Sequence, residues 1–309
     1  MSYNQKKQEK LNQELLKIIN KKDLSNIEYI KKLIETGADI NIQLDRSFIY
    51  NVKQGDENTI LMFAAEMGNY KLVKYLIEHG ANTNIEDKKG RTALMKSIET
   101  NNIDIAKYLV EHGADVNKSD WDNWTPLMYA VANKDFNLTK YLIDKGADVN
   151  IRDNEEGISI LSRAIMYNYL NIAKLLIEQG ADVNSVDYYD ETALMHAVKK
   201  GHLEMVKYLV EHGADVNAQS KDGYTPLMIA IGTGDINLVK CLVENGSNIS
   251  IKKSKNKTAI GVAKERKLIC VRHQMVEGVE QYSNIIDYLK KNLKLDKQVN
   301  KKHKKGMIL

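Results

Sequence analysis

The chain has 309 residues, enough for two average domains or one long array of repeats with a large buried core. It carries 45 Lys and Arg against 41 Asp and Glu, and its hydrophobic share of 43% excludes a wholly disordered protein. Two cysteines cannot build a disulfide framework, and no apolar run approaches the roughly 20 residues that cross a bilayer, so we expect a cytoplasmic protein without membrane insertion.

The charge is uneven along the chain. The last twenty residues hold eight lysines and one acidic residue, Asp296, a local charge of +7 within a formal total of +4. The rest of the chain is therefore slightly acidic. A nucleic acid or an anionic membrane surface would have to be bound by this tail alone.

A repeat dominates the sequence. The pentapeptide Gly-Ala-Asp-Val-Asn begins at Gly113, Gly146, Gly180 and Gly213, and weaker copies begin at Gly37, Gly80 and Gly246. From Gly80 onward the spacings are 33, 33, 34, 33 and 33 residues. A period of this length is typical of arrays in which each unit packs only against its neighbours.

Residues before the regular array depart from the period. Residues 1–10 are polar and are assigned to a separate segment, and residues 11–41 are predicted to form an atypical unit. The spacing from Gly37 to Gly80 is 43, so we place a loop insertion at residues 42–53.

Each regular unit has the pattern of two short helices. The first begins at a threonine that can cap free amides, as at Thr92 and Thr125. The second carries apolar residues at helical spacing, such as Leu72 and Leu76, and ends at a glycine able to take the left-handed conformation. Helices of about eight to ten residues do not persist alone, so their stability must come from stacking.

The regular array covers residues 54–252, and a capping unit follows it. Residues 253–293 are predicted to form a degenerate unit with a helical insertion, and residues 294–309 a basic tail. The six regular units lie at about 54–86, 87–119, 120–152, 153–186, 187–219 and 220–252.

These residues resemble the ankyrin-repeat family, whose unit carries Thr-Pro-Leu-His and ends in Gly-Ala-Asp. Thr125-Pro126-Leu127-Met128 matches the first motif, as does the tetrapeptide that begins at Thr225. The resemblance covers nearly the whole chain. It implies an all-α solenoid of stacked helix-turn-helix units with projecting β-turn or hairpin loops.

The sequence departs from that family after the leucine of the motif. The family's histidine there is understood to link neighbouring units by hydrogen bonds, and we expect packing by polarizable methionine to replace part of this bonding. The residues at this position are Met62, Met95, Met128, Ser162, Met195 and Met228.

We find no pattern typical of a reaction centre. His79, His112 and His212 occupy equivalent positions in separate units, and we interpret His196 and His202 as turn and surface residues. Acidic residues follow the period, which indicates turns and solvated faces. No phosphate-binding glycine loop or nucleophile elbow occurs. We therefore predict a protein that is not an enzyme, with no cofactor and no metal.

The residues that break the period lie on the tips, the turns before each first helix. Large aromatic residues are the commonest anchors of protein interfaces, and both tryptophans lie on one tip. Local packing against the neighbouring tip is the alternative interpretation of those tryptophans. With a strip along the first helices, the predicted partner-binding residues are Lys88, Lys89, Arg91, Trp121, Trp124, Tyr167, Tyr188, Tyr189, Lys199, Lys200 and Tyr224.

We therefore expect a monomeric, non-enzymatic interaction module that binds a protein partner through its tips and its concave helical face. Thirty-nine lysines against six arginines look like the product of an AT-rich genome, so a host-directed effector of an intracellular microbe or virus, acting on host proteins in the host cytoplasm, is one alternative. Binding of nucleic acid or an anionic surface through the lysine tail is a second, which the lack of interleaved aromatic residues disfavours.

Overall fold

The structure is a computed structural model whose described part divides into two compact units, Met1–Asn154 and Glu155–Leu309. From residue 44 onward, the predicted loop insertion lies outside the described residues, and so do the side chains of the tail beyond residue 294. The described residues are 3–21, 26–43, 57–253 and 256–306.

Helices dominate both units, and the predicted all-α class is confirmed. The described helices of the first unit are α1 Tyr3–Lys21, α2 Ile27–Glu35, α3 Ile60–Glu66, α4 Tyr70–Glu78, α5 Ala93–Glu99, α6 Ile103–Glu111, α7 Pro126–Ala132 and α8 Phe136–Asp144. Those of the second unit are α9 Ile160–Met166, α10 Leu170–Glu178, α11 Ala193–Lys199, α12 Leu203–Glu211, α13 Pro226–Thr233, α14 Ile236–Glu244, α15 Ala259–Arg272 and α16 Val276–Gly306.

The helices begin and end as the repeat pattern predicts. The hydroxyl of Thr92 accepts the backbone N–H of Met95 at 3.4 Å, and Thr125 caps α7 in the same way. At the end of the second helices, Gly80 adopts φ +87°, a left-handed conformation that side chains with a Cβ rarely take. The helices of the regular units have seven to nine residues, and the first helices of seven residues are shorter than the expected eight to ten.

Packing between neighbouring helix pairs buries the apolar faces that a single repeat would expose. In the first unit α3 packs on α5 and α5 on α7; in the second, α9 packs on α11 and α11 on α13. The methionines of the repeat motif lie inside, with Met95 and Met128 fully buried. The Met62 sulfur also accepts the Thr59 backbone N–H at 3.4 Å, closing the start of α3.

Asparagines at the ends of the repeats join them in a ladder. The Asn84 side chain donates to the Gly113 carbonyl at 2.9 Å and accepts the Asp115 amide at 2.8 Å. In the second unit Asn184 makes the same two bonds, to Gly213 and Asp215. Each such side chain therefore satisfies one donor and one acceptor of the next repeat.

Both chain ends extend the helical pattern. Helix α1 begins at Tyr3, so most of residues 1–10 belongs to a helix that continues into the atypical amino-terminal unit. Helices α15 and α16 have 14 and 31 residues, longer than any helix of the regular repeats. A short antiparallel hairpin of β1 Lys252–Lys253 and β2 Lys257–Thr258 leads into α15.

Candidate protein-binding surfaces

Buried aspartates fix the turns at the tips of the repeats. Oδ1 of Asp87 accepts the backbone N–H groups of Lys89 and Arg91 at 2.8 and 2.9 Å. Oδ1 of Asp120 accepts the N–H of Trp124 at 2.8 Å. These bonds satisfy amides that the turn would leave unpaired, so the tip side chains start from a fixed backbone.

The other carboxylate oxygen of each aspartate binds a polar side chain on the following first helix. The ammonium of Lys96 lies 3.0 Å from Asp87 Oδ2, and the Tyr129 hydroxyl donates to Asp120 Oδ2 at 2.7 Å. Asp87 and Asp120 are buried, so their interpretation as solvated-face residues is wrong. The sequence carries a signal for these pairs, because each polar residue follows its aspartate by nine positions and directly follows apolar residues in its helix.

These contacts determine the protonation states of Asp87 and Tyr129. Burial alone would raise the pKa of Asp87, but the Arg91 amide and the Lys96 ammonium outweigh it, and the pKa lies below its ordinary value. Burial, and then the hydrogen bond to Asp120, raise the pKa of Tyr129 well above its ordinary value. Asp87 is therefore ionised and Tyr129 protonated throughout the neutral range.

His196 occupies the position of Lys96 and Tyr129 in the repeat at residues 187–219, and it is buried. Its interpretation as a turn or surface residue is therefore wrong, because the tip folds back over the start of α11. The ring Nε2 lies 3.2 Å from Asp187 Oδ2, and Nδ1 lies 3.8 Å from Glu191 Oε2. Burial lowers the pKa of His196 despite these two carboxylates, so the imidazole is neutral at neutral pH.

Asp187, Glu191 and His196 offer potential metal-ligand atoms within 4.8 Å of one another. Each of these side chains already has a protein partner, because Glu191 is ion-paired with Lys199 and His196 faces Asp187. In the repeat at residues 87–119 the equivalent positions also hold paired charges, although acidic and basic residues alternate differently. These residues are Asp87, Arg91, Lys96 and Glu99. We interpret both sets as charge-balanced supports of the tip.

A groove of about 930 Å³ lies beside two adjacent tips of the first unit. Trp121 borders it and is 70% exposed. The Trp121 amide donates to the Lys89 carbonyl at 3.0 Å, and its indole lies so close to Gly90 that a Cβ there would come 2.9 Å from Cδ1. The ring is therefore fixed by its neighbour while most of its surface faces solvent.

The other predicted residues of the first unit differ in exposure. Trp124 is half-buried, with its ring edge-on to Tyr129 at a centroid distance of 5.4 Å. Arg91 is drawn into ion pairs with Asp87 and Glu99, at 3.0 and 3.3 Å. Trp124 and Arg91 thus build the tip. Lys88 and Lys89, half-buried and exposed respectively, flank the groove.

In the second unit, three of the four predicted aromatic residues are exposed. Tyr188, Tyr189 and Tyr167 are exposed by 48, 59 and 51%. Lys199 and Lys200 are exposed at the end of α11, with Lys199 paired to Glu191. Tyr224 is half-buried and bonded by the ammonium of Lys253, which also lies 3.7 Å from its ring centroid.

A model of a known protein family matches most of the chain. A family model described as ankyrin repeats in three copies matches residues 18–120, 118–187, 161–253 and 213–272. The chain belongs to the ankyrin-repeat family. The predicted solenoid of helix-turn-helix repeats is confirmed, and ankyrin repeats are protein-interaction modules.

Solved ankyrin domains share the fold. The ankyrin-repeat domain of Bcl-3, described as a unique member of the IkappaB family, is 30% identical, with a TM-score of 0.61 over 67% of this chain and 95% of its own. The human ASB11 ankyrin-repeat domain is 24% identical, covers 66% and 91%, and has a TM-score of 0.56. A chain from the complex of a Bdellovibrio bacteriovorus predatory endopeptidase with an immunity protein is 28% identical, covers 60% and 98%, and has a TM-score of 0.54.

Curated relatives match over short stretches. A phosphocholine transferase of Legionella pneumophila, AnkX, is 36% identical over 69 residues, 22% of this chain and 6% of that protein. A putative ankyrin repeat protein of Acanthamoeba polyphaga mimivirus is 36% identical over 79 residues, 26% of this chain and 43% of that protein. The chain thus spans less than half of either relative. Within the described ranges, none of the helices has a stretch sufficiently long and apolar to cross a lipid bilayer.

Proposed function

We propose that this ankyrin-repeat chain is a non-enzymatic module that binds a protein partner, and that the first unit docks it at the groove beside Trp121. The observation that carries the proposal is the placement of Trp121: it is 70% exposed, its indole lies against Gly90, and its backbone amide donates to the Lys89 carbonyl. A rigid, exposed tryptophan loses little conformational freedom when a partner covers it. The buried Asp87 and Asp120 turns supply this rigidity.

The groove suits a polypeptide better than a uniform polyanion. Six carboxylate residues and three basic residues line it, together with Trp121 and Tyr129. Mixed charge around an aromatic anchor is typical of the rim and core of protein interfaces. We propose that the protein acts as a monomer in the cytoplasm of the cell that makes it.

Action on host proteins, in the cytoplasm of a host, is a second candidate function. The partial likenesses to a Legionella pneumophila protein and to a mimivirus protein favour it, as does the excess of lysine over arginine. Such an effector would use the same docking surface. The two candidates differ in whose protein is bound.

The test is affinity capture with the full chain, identification of captured proteins by mass spectrometry, and binding measurements with the purified partner. Trp121→Ala should weaken binding at least about tenfold, because truncating an anchor tryptophan commonly costs about 2 kcal/mol or more. Phe136→Ala, which removes a 41% exposed aromatic ring at the start of α8, is the matched control and should bind as wild type does. Equal affinity of the Trp121 variant for every captured partner would remove the groove from the interface.

A further inference from the structure

The second unit contains a separate pocket of about 630 Å³ on the side of the first helices. It lies where α13, the β1–β2 hairpin and α15 meet, and its lining includes Tyr224, Met228, Val262 and Ile269. None of the residues that form the groove beside Trp121 contributes to it.

Gly232 opens the floor of this pocket. It lies near the end of α13 at a position where the other regular repeats carry larger side chains. Its backbone is not left-handed, and a Cβ would meet only the Arg266 guanidinium, at 3.7 Å. The glycine is thus not required by the local backbone. The equivalent residues are Glu66, Glu99, Ala132, Met166 and Lys199.

The wall formed by the hairpin and α15 is cationic. Lys257 pairs with Glu265 at 2.7 Å, whereas Lys253 and Arg266 have no carboxylate ion-pair partner among the described residues. The hydrogen bond from Lys257, with the nearby charges of Lys253 and Arg266, lowers the pKa of Glu265. Three cations therefore surround one carboxylate on this wall, which carries a net charge of +2. Elsewhere in the lining Glu191 is paired with Lys199 and Asp222 adds one negative charge, so the positive charge is concentrated on the wall of the hairpin and α15.

The pocket also offers apolar surface to a ligand. Met228 and Val262 are buried beneath it, Tyr224 and Ile229 are half-buried, and Ile269 is 40% exposed. An inorganic anion or a bare polyanion would leave this surface uncovered. A chain that brings both carboxylates and an apolar side chain would cover it and neutralise the wall.

We propose that this pocket docks an acidic peptide segment of a protein partner, with an aliphatic or aromatic side chain above Met228 and carboxylates against Lys253 and Arg266. The proposal deepens the proposed function, on which it rests, by naming partner chemistry at a second surface. The lysine-rich residues 294–309 do not meet the requirement, because their charge has the same sign as the wall.

The experiment selects ligands without assuming a sequence. A phage-displayed library of random dodecapeptides is panned against the full chain, and selected peptides are labelled for fluorescence anisotropy. We expect enrichment of Asp and Glu around a Leu, Phe or similar residue. Lys253→Glu with Arg266→Glu should weaken binding about tenfold or more, because both charge contacts become repulsive. Gly232→Met, which fills the floor with a side chain native to another repeat, should weaken it by a similar factor.

Two controls separate this pocket from general effects. Lys240→Glu with Lys264→Glu makes the same charge change on exposed lysines of the same unit that do not line the pocket, and it should leave affinity near wild type. Trp121→Ala should also leave it unchanged, so loss of partner capture by that variant and loss of peptide binding here are distinguishable. Circular dichroism confirms that each variant is folded.

Three results would overturn the proposal. The first is a selection that yields no binders, or only neutral and basic peptides. The second is acidic peptides whose affinity is unchanged by the charge reversals and by Gly232→Met. The third is poly-aspartate or single-stranded oligouridylate binding as tightly as the selected peptides, which would identify a surface for polyanions in general.

Discussion

Replacing Asp87 by Asn tests whether the buried charge network holds the tip of its repeat. The amide can still accept the backbone N–H groups of Lys89 and Arg91, so the turn keeps its hydrogen bonds. What is lost is the negative charge beside Lys96, whose side chain is only 3% exposed. The substitution therefore keeps the backbone hydrogen bonds of the turn and removes the charge and the acceptor oxygen that face Lys96.

The expected loss is large because a charge is left buried without its partner. Removing one member of a buried ion pair costs about 3–5 kcal/mol. We expect about 3 kcal/mol for Asp87→Asn, the lower end of that range, because the amide oxygen keeps the backbone hydrogen bonds of the turn while the amide NH2 group replaces Oδ2 beside Lys96. Lys96→Met should cost about 1 kcal/mol or less, since Asp87 keeps Arg91 at 3.0 Å. Combining both should recover about 2 kcal/mol relative to the sum of the single changes.

Urea denaturation followed by tryptophan fluorescence measures the loss of stability close to the substituted tip. Both tryptophans of the chain lie on the adjacent tip, and the Trp121 amide is bonded to the Lys89 carbonyl. With a slope of about 2 kcal/mol per molar urea, 3 kcal/mol lowers the midpoint by about 1.5 M. Equal midpoints for the two single variants, or a double variant no more stable than their sum predicts, would refute the reasoning.

Two further results are expected. Burial lowers the pKa of His196 below its ordinary value of 6.5, so the folded state favours the neutral ring; this contribution to stability is present above that pH and is lost as the pH falls. The urea midpoint should therefore drop less from about pH 7.5 to about pH 5.5 in His196→Gln than in wild type, and parallel drops would contradict this. Gly113 has φ +88° and no atom within 4 Å of an added Cβ, so Gly113→Ala should lower the free energy of unfolding by about 1 kcal/mol. Gly90→Ala should lower it by at least about 1 kcal/mol more and alter tryptophan fluorescence, because its Cβ meets Trp121. Equal losses for the two variants by urea titration would show that the clash is relieved without cost.

The repeat frame was predictable because single residues determine local geometry there. A left-handed backbone at Gly80 and a capped amide at Thr92 each favour a small set of residue types, so the sequence marks where helices end and begin. Their recurrence also fixes which faces stack. The sequence predicts the bounds of α1 and of the long α15 and α16 less well, because the 33-residue period does not extend to these helices.

The environment of each tip residue was harder to predict. Trp121 and Trp124 are three positions apart on one turn, yet one is 70% exposed and the other packs on Tyr129. The difference depends on the direction of the turn, which Asp120 sets through its buried carboxylate. His196 looked like a surface residue because the fold of the tip over α11 is a tertiary feature.

The asparagine ladder affects how a gene that encodes such repeats can gain further repeats. Each joint consists of an asparagine from one repeat and backbone groups of the next, as with Asn117, Gly146 and Asp148. A tandem duplication of one repeat would therefore carry both halves of a compatible joint, without any compensating substitution. Such an array can change its length by ordinary recombination errors while natural selection acts separately on the variable tips.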